Sequence, residues 1–367
     1  MALRFILLLL TACLTSMCGA SQEYTLQMNI QQLKGFPTAE AGIEKGVSAC
    51  FAGLIQDHLV MVGGCNFPER PAAEKGEKRY YQGIYATAVN GSDTNVWEKV
   101  GELPTPIAYG VSIVKGETLY CIGGNNAESS LNTTYAITLK GGKAEITNLP
   151  TLPAKLDNHA GCAIGDSLIV LGGNWNGHAS NRVLMLELSA LDKGWQQLPD
   201  FPGIPRVQPV CAFVENSICL WGGSSPRTEA QDTQLGLEGW QYDFNTATWT
   251  ALPAATDNTG ETVFLGGGCA TTLSDGSIIA MGGVNKDIFL NAVNHPQLGY
   301  MTHPVEWYRF NRLVMQFKDG QWKTIGESEA TARAGAALFT DGTHLYEIGG
   351  ELKPGIRSTG IYKITIK

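Results

Sequence analysis

Apolar positions along the chain fall into short runs rather than a helical period, and six of these runs end in a glycine pair: HLVMVGG, ETLYCIGG, DSLIVLGG, NSICLWGG, GSIIAMGG and THLYEIGG. Runs of this length bounded by turn residues predict buried β-strands. A stretch of small residues and a polar turn precede each run. A strand bearing Tyr or Phe follows it, and then a Trp-x-x-Leu-Pro-like strand. The last is clear from Trp97 to Leu103-Pro104, Trp195 to Leu198-Pro199 and Trp249 to Leu252-Pro253, and weaker from Ile146 to Leu149-Pro150 and from Trp322 to Ile325. The first glycines are Gly63, Gly123, Gly172, Gly222, Gly282 and Gly349, separated by 60, 49, 50, 60 and 67 residues. Self-similarity at this period predicts an array of equivalent four-stranded units.

The period matches a kelch blade with loop insertions, so the expected fold is all-β, a six-bladed kelch-type β-propeller. The ends support closure. The sixth repeat stops after its third strand, around residues 359–366, without a Trp-x-x-Leu-Pro strand. Residues 28–37 carry that pattern and precede a first small-residue strand expected over 46–51. A ring closed by an N-terminal strand completing the last blade has no exposed edge.

Composition agrees with this picture: 44 Gly, 16 Pro, 44% hydrophobic and 16% charged residues suit many short strands joined by tight turns. The first twenty residues differ from the rest. Arg4, the apolar stretch 5–10 and Cys18-Gly19-Ala20 read as a signal peptide, with one domain expected over 21–367. Leu10-Thr11-Ala12-Cys13 also has the look of a lipidation box, which the apolar Leu14 and Met17 oppose. The apolar stretch is too short to span a membrane comfortably. Without that leader, 25 Lys and Arg face 34 Asp and Glu. A balance this acidic disfavours nucleic acid or an anionic membrane as partner, while a small anionic ligand on one local Arg remains open. Seven cysteines remain, with no Cys-x-x-Cys. Cys50, Cys162, Cys211 and Cys269 each fall 10 to 13 residues before a glycine pair, as buried strand residues would. Cys211 and Cys219 share a hairpin turning at Glu215-Asn216, with Cys211 expected to face Leu220, so no structural disulfide network is expected.

Segments after the glycine pairs are rich in Asn, at Asn125-Asn126, Asn174-Trp175-Asn176 and Asn285. These suit hydroxyl-rich ligands, although Asn also simply occupies turns. Insertions 66–78 and 285–309 both follow a glycine pair and are expected on the same rim. His295 and His303 lie in the second, without metal-ligand spacing. The sharpest local feature is 351–357, where Lys353-Pro354-Gly355 predicts a type II turn. That turn sets Glu351 beside Arg357 at one rim. A structural ion pair is the alternative reading.

With that run on the page, the chain resembles the kelch-propeller sialic acid mutarotases, or N-acetylneuraminate epimerases, which are exported bacterial enzymes. The resemblance rests on Gly282-Gly283-Val284-Asn285 with Ile288-Phe289, the run 349–357, Gly335-Ala336-Ala337, Ala108-Tyr109-Gly110-Val111-Ser112, and Pro205-Arg206 with Gln208. The family's usual order places the Gly-Glu-x-Lys-Pro-Gly-x-Arg blade in mid-chain, so this sequence looks cyclically permuted by two blades. Ile107 and Arg333 depart from the family's basic positions. The resemblance implies an isomerase of the periplasm acting on a small sugar acid, with Glu351 and Arg357 as the catalytic pair and no metal or nicotinamide cofactor. Arg206, Asn285, Asn174 and Lys353 are candidates for substrate contacts beside that pair, and a homodimer is left open. A non-catalytic propeller binding glycan or protein is the competing reading. A copper oxidase lacks a Tyr/His/Cys ligand set here, and a sialidase would repeat a Ser-x-Asp-x-Gly-x-x-Trp box.

Overall fold

The computed structural model describes residues 28–89 and 91–367. The expected leader over 1–20, Cys13 within it and the start at Ser21 lie outside the described residues. Among the described residues, six antiparallel sheets each contain a path of four strands, and two of them carry a short fifth strand beside it. Their innermost strands are Phe51–Ile55, Val111–Lys115, Ala160–Ile164, Val207–Val214, Gly268–Thr272 and Ala334–Thr340. Each inner strand packs against the next, and the last packs against the first, so the sheets stand in a closed ring as a β-propeller.

A second ring, of hydrogen bonds, runs around the axis at the mouth of the channel. Ala49 N donates to Gly335 O at 2.7 Å, Tyr109 to Ala49 at 3.0 Å and Asn158 to Tyr109 at 2.7 Å. Gln208 then donates to Asn158 at 2.7 Å, Gly267 to Gln208 at 3.1 Å and Gly335 to Gly267 at 2.8 Å. All six residues have φ between 53° and 72°, a region non-glycine residues seldom occupy. This kink explains a difference from the sequence reading: the first inner strand begins at Phe51, not at residue 46. Ala49 leaves the ladder there to bond the neighbouring blades around the axis.

Repeat residues hold neighbouring blades together. The second strand of each sheet is covered on both faces, which is why its apolar run is continuous instead of alternating. Val60, Val62 and Ile84 of one blade, for example, pack with Leu119, Cys121 and Ile137 of the next. The glycine pairs sit where blades touch. A Cβ on Gly349 would lie 2.5 Å from the Val47 carbonyl oxygen, while Gly350 N donates to that oxygen at 2.9 Å. The Trp and Pro of the outer pattern also meet between blades. Trp195 Nε1 donates to Pro150 O at 3.0 Å and Trp249 Nε1 to Pro199 O at 2.9 Å.

The sixth sheet joins Ala334–Thr340, Leu345–Lys353 and Ile361–Ile366 to Met28–Leu33. The N-terminal strand pairs antiparallel with the last, in register from Met28↔Ile366 to Leu33↔Ile361. The hairpin register around the cysteines is as expected, with Cys211 opposite Leu220. All seven described cysteines are free thiols. The all-β pattern is broken by helix α1, Lys286–Asn294, inside the second insertion. Among the described residues no helix is long and apolar enough to cross a membrane.

Candidate active site at the channel mouth

The sixth blade's second strand runs past Gly349-Gly350 to the rim and turns at Pro354-Gly355. Gly355 has φ 84° there, a conformation suited to glycine. The chain returns as Ile356–Arg357, and Glu351 and Arg357 become register partners across the hairpin. Arg357 Nη1 donates to Glu351 Oε2. The Arg357 side chain is 3% exposed and that of Glu351 23%. Phe67 of the first insertion lies under the guanidinium, its ring centre 5.4 Å away. Arg357 Nε is buried and has no partner among the described residues.

Two opposing effects act on this pair. Burial raises the Glu351 carboxyl, and the charges of Arg357 and Lys78 pull it back, leaving it above the ordinary carboxylate range. Burial works against the Arg357 charge too, but the facing Glu351 carboxylate more than offsets it, so Arg357 stays protonated. Glu351 is thus a carboxylate of raised basicity beside a fixed cation.

Tyr109, Asn158 and Gln208 of the hydrogen-bond ring surround one side of the mouth; Ala49, Gly267 and Gly335 leave the other side open. Beneath lies a channel cavity of about 170 Å³. Lys78 Nζ donates to Tyr109 Oη at 3.2 Å. On the Asn158 side, Asp157 is a hub: its Oδ1 accepts from Asn158 Nδ2 at 2.6 Å and Asn174 Nδ2 at 2.8 Å, and its Oδ2 from Ser130 Oγ. Gln208 Nε2 extends the chain to Asn158 Oδ1 at 3.0 Å.

The insertions cover this rim together. Asn66, buried, anchors the first with bonds of 2.7 and 2.8 Å to the Gly42 and Gly46 carbonyls. In the second, Lys353 Nζ holds the carbonyls of Met301 and His303 at 3.3 and 2.5 Å. The turns Ala72–Glu74 and Tyr300–Thr302 touch, and a Cβ on Gly355 would reach within 2.5 Å of Ala72 Cβ.

The family model described as N-acetylneuraminate epimerase matches residues 15–146 and 149–367. The chain belongs to that family. Similar curated proteins include the N-acetylneuraminate epimerases of Escherichia coli O157:H7 and of Salmonella enteritidis PT4. The first is 30% identical over 248 residues, 63% of this chain and 64% of the relative. The second is 28% identical over 247 residues, 64% of this chain and 62% of the relative. The aligned stretch thus spans under two thirds of either relative's length. A solved structure titled "Structure of YjhT" superposes with a TM-score of 0.64 at 16% identity, over 91% of this chain and 99% of that one, a likeness of fold.

The residues singled out in the sequence of this N-acetylneuraminate epimerase family member divide into two sets. Glu351 and Arg357 meet as expected, and Asn174 joins the Asp157 hub at the mouth. Arg206 does not reach the mouth. It is wholly buried, with Nη1 donating to the Gly222 and Glu238 carbonyls at 3.3 and 3.0 Å and Nη2 to Glu238 Oε1. Asn285 caps α1, its Oδ1 accepting from Asp287 N at 3.2 Å and Ile288 N at 3.1 Å. Lys353 anchors the second insertion instead of facing a ligand. Arg333, a buried counterpart of Arg206, bonds Gly349 O at 2.6 Å behind the Glu351 strand, and Ile107 is buried at a blade interface. His303 stacks on Trp307 at 3.9 Å. Lys78 and Tyr109 were not among the expected site residues. Aligning the residue before each small-residue strand would have marked Tyr109, whereas Lys78 depends on how a long insertion folds.

Proposed function

We propose that this protein interconverts the α and β anomers of a sialic acid, N-acetylneuraminate being the substrate its family name indicates, by general acid–base catalysis at Glu351. The observation that carries the reading is the Glu351–Arg357 hairpin pair, with a carboxylate of raised basicity at the channel mouth, in a chain of this family. Glu351 accepts the proton of the anomeric hydroxyl as that O–H pair becomes the carbonyl. The bond from the anomeric carbon to the ring oxygen breaks, its electron pair stays on the ring oxygen, and Glu351 passes the proton on to that oxygen. Rotation in the open-chain ketone and reversal of the same transfers close the ring on the other face. A positioned acid–base group contributes about 10²- to 10⁴-fold to such a step.

The signal-like features of residues 1–20 support export to the periplasm, and the displaced order of the Glu351 blade supports a cyclically permuted family member. NMR of freshly released α-anomer tests the activity: with protein added, equilibration outpaces buffer alone, and an unchanged rate rejects the reading. Calorimetric binding without faster exchange would indicate a glycan-binding propeller.

A further inference from the structure

A sugar acid of this class carries its carboxylate on the anomeric carbon itself. The residue that handles the anomeric proton therefore needs a separate cation close by for the carboxylate. Arg357 is poorly placed for that role, because Glu351 already occupies it and its side chain is only 3% exposed. Lys78 is the better placed cation. It ends the first insertion half-buried, and it makes no ion pair with a carboxylate among the described residues. Its Nζ lies 4.9 Å from the Tyr109 ring centre, 5.7 Å from Phe67 and 5.9 Å from Tyr80. Phe67 is the ring that also lies 5.4 Å from the Arg357 guanidinium, so both cations gather at one aromatic side chain.

Tyr109 fixes where that ammonium points. Its backbone belongs to the hydrogen-bond ring and has φ 60°, a conformation costing a non-glycine residue about 1–2 kcal/mol. Such strain is retained where the surrounding structure enforces it, often at functional positions. The Tyr109 hydroxyl accepts from Lys78 at 3.2 Å and stays protonated, since burial and neighbouring Cys65 raise its pKa well above the ordinary phenol.

We propose that Lys78, held by Tyr109, binds the substrate carboxylate, and that the 66–78 insertion thereby selects sugar acids over neutral sugars. This rests on anomer exchange at Glu351. Anomer exchange is measured by NMR for the full chain and for Lys78→Met, Lys78→Arg and Tyr109→Phe, with N-acetylneuraminate and its C1 methyl ester. Lys78→Met raises KM for the acid about 10- to 100-fold, the range of one charge-assisted hydrogen bond. Its kcat stays within about threefold, and KM for the ester is unchanged. Lys78→Arg recovers part of the loss, and Tyr109→Phe shows a smaller rise. The acid limb of kcat/KM in Lys78→Met also moves to higher pH, because Lys78 no longer favours the Glu351 carboxylate; the difference between acid and ester is the readout that a merely structural lysine would leave unmoved. An unchanged KM for the acid, or an equal rise for acid and ester, overturns the proposal. If the unmodified chain exchanges nothing, the activity reading fails instead. Calorimetric titration with N-acetylneuraminate then decides: tighter binding to the unmodified chain than to Lys78→Met supports the carboxylate site, and equal affinity overturns it.

Discussion

Glu351 and Glu347 lie four residues apart on one strand and meet opposite demands. Glu351, near the rim, has a cation in contact and part of its surface open. Glu351→Gln keeps the shape of the hairpin but cannot take a proton, so exchange should fall at least about 100-fold while the thermal midpoint stays close to that of the unmodified chain. NMR exchange and a melt on the same sample check both. Glu347 is fully buried, with neither carboxylate oxygen hydrogen-bonded and Arg333 Nε 3.7 Å away. Burial pushes its pKa from 4.5 up to about 7, against the pull of Arg333. The folded state therefore holds this proton more tightly than the unfolded chain. The resulting stability is present below about 4.5 and is lost as pH rises through about 7. The shift corresponds to roughly 3 kcal/mol. Denaturant titrations across this window should show a downward slope with pH that flattens in Glu347→Gln. His159 has the opposite sign: burial lowers its pKa to about 4, so its contribution is lost as pH falls from 6.5 through that value.

At the scale of elements, glycine pairs and the hairpin turn were legible because each answers to a local constraint. Pro354-Gly355 sets a turn, and the turn sets Glu351 opposite Arg357. At Gly349 the constraint is both conformational and steric, with φ 70° and a neighbouring carbonyl where a Cβ would go. Gly349→Ala should cost at least about 2 kcal/mol, more than its left-handed backbone alone would demand. Urea unfolding measures that loss; an unchanged midpoint would mean the sixth blade can move away from Val47. Contacts that depend on the path of a long loop were not legible. Lys78 reaches Tyr109 only because Asn66 and Tyr81 pin the base of its insertion, with Tyr81 Oη donating to Asn66 Oδ1 at 2.8 Å. α1 was missed for a related reason: nine residues capped by Asn285 form a helix inside a stretch whose flanks are strands. Arg206 looked like a ligand residue because its neighbours in sequence resemble the family's. Burial between blades, invisible to a local motif, assigned it a structural place.

The whole molecule is a ring whose closure and candidate site share a sheet. Met28–Leu33 pairs with Ile361–Ile366, which pairs in turn with the strand bearing Glu351. Loss of the first strand would expose the backbone edge of Ile361–Ile366 and uncover the apolar cluster in which Leu33 packs with Tyr346, Ile348 and Ile361. A chain lacking residues 21–37 should lose its cooperative melt and its exchange activity together. Simple shortening could explain that result, so a permuted chain separates length from closure. Met28 and Ile366 are register partners, which puts residues 28 and 367 close enough to join through a hairpin loop of about 2–5 residues. The Gly141-Gly142 turn, with open space around both glycines, is a place to make the new ends. This permutant keeps every strand pair of the ring. It should melt in one transition and exchange anomers within about tenfold of the original order, since cutting at an exposed turn is usually tolerated. Failure of the truncated chain with survival of the permutant would show that ring closure, not the position of the chain ends, supports the Glu351 site. Survival of both would mean that the other blades hold the sixth sheet in place without its fourth strand.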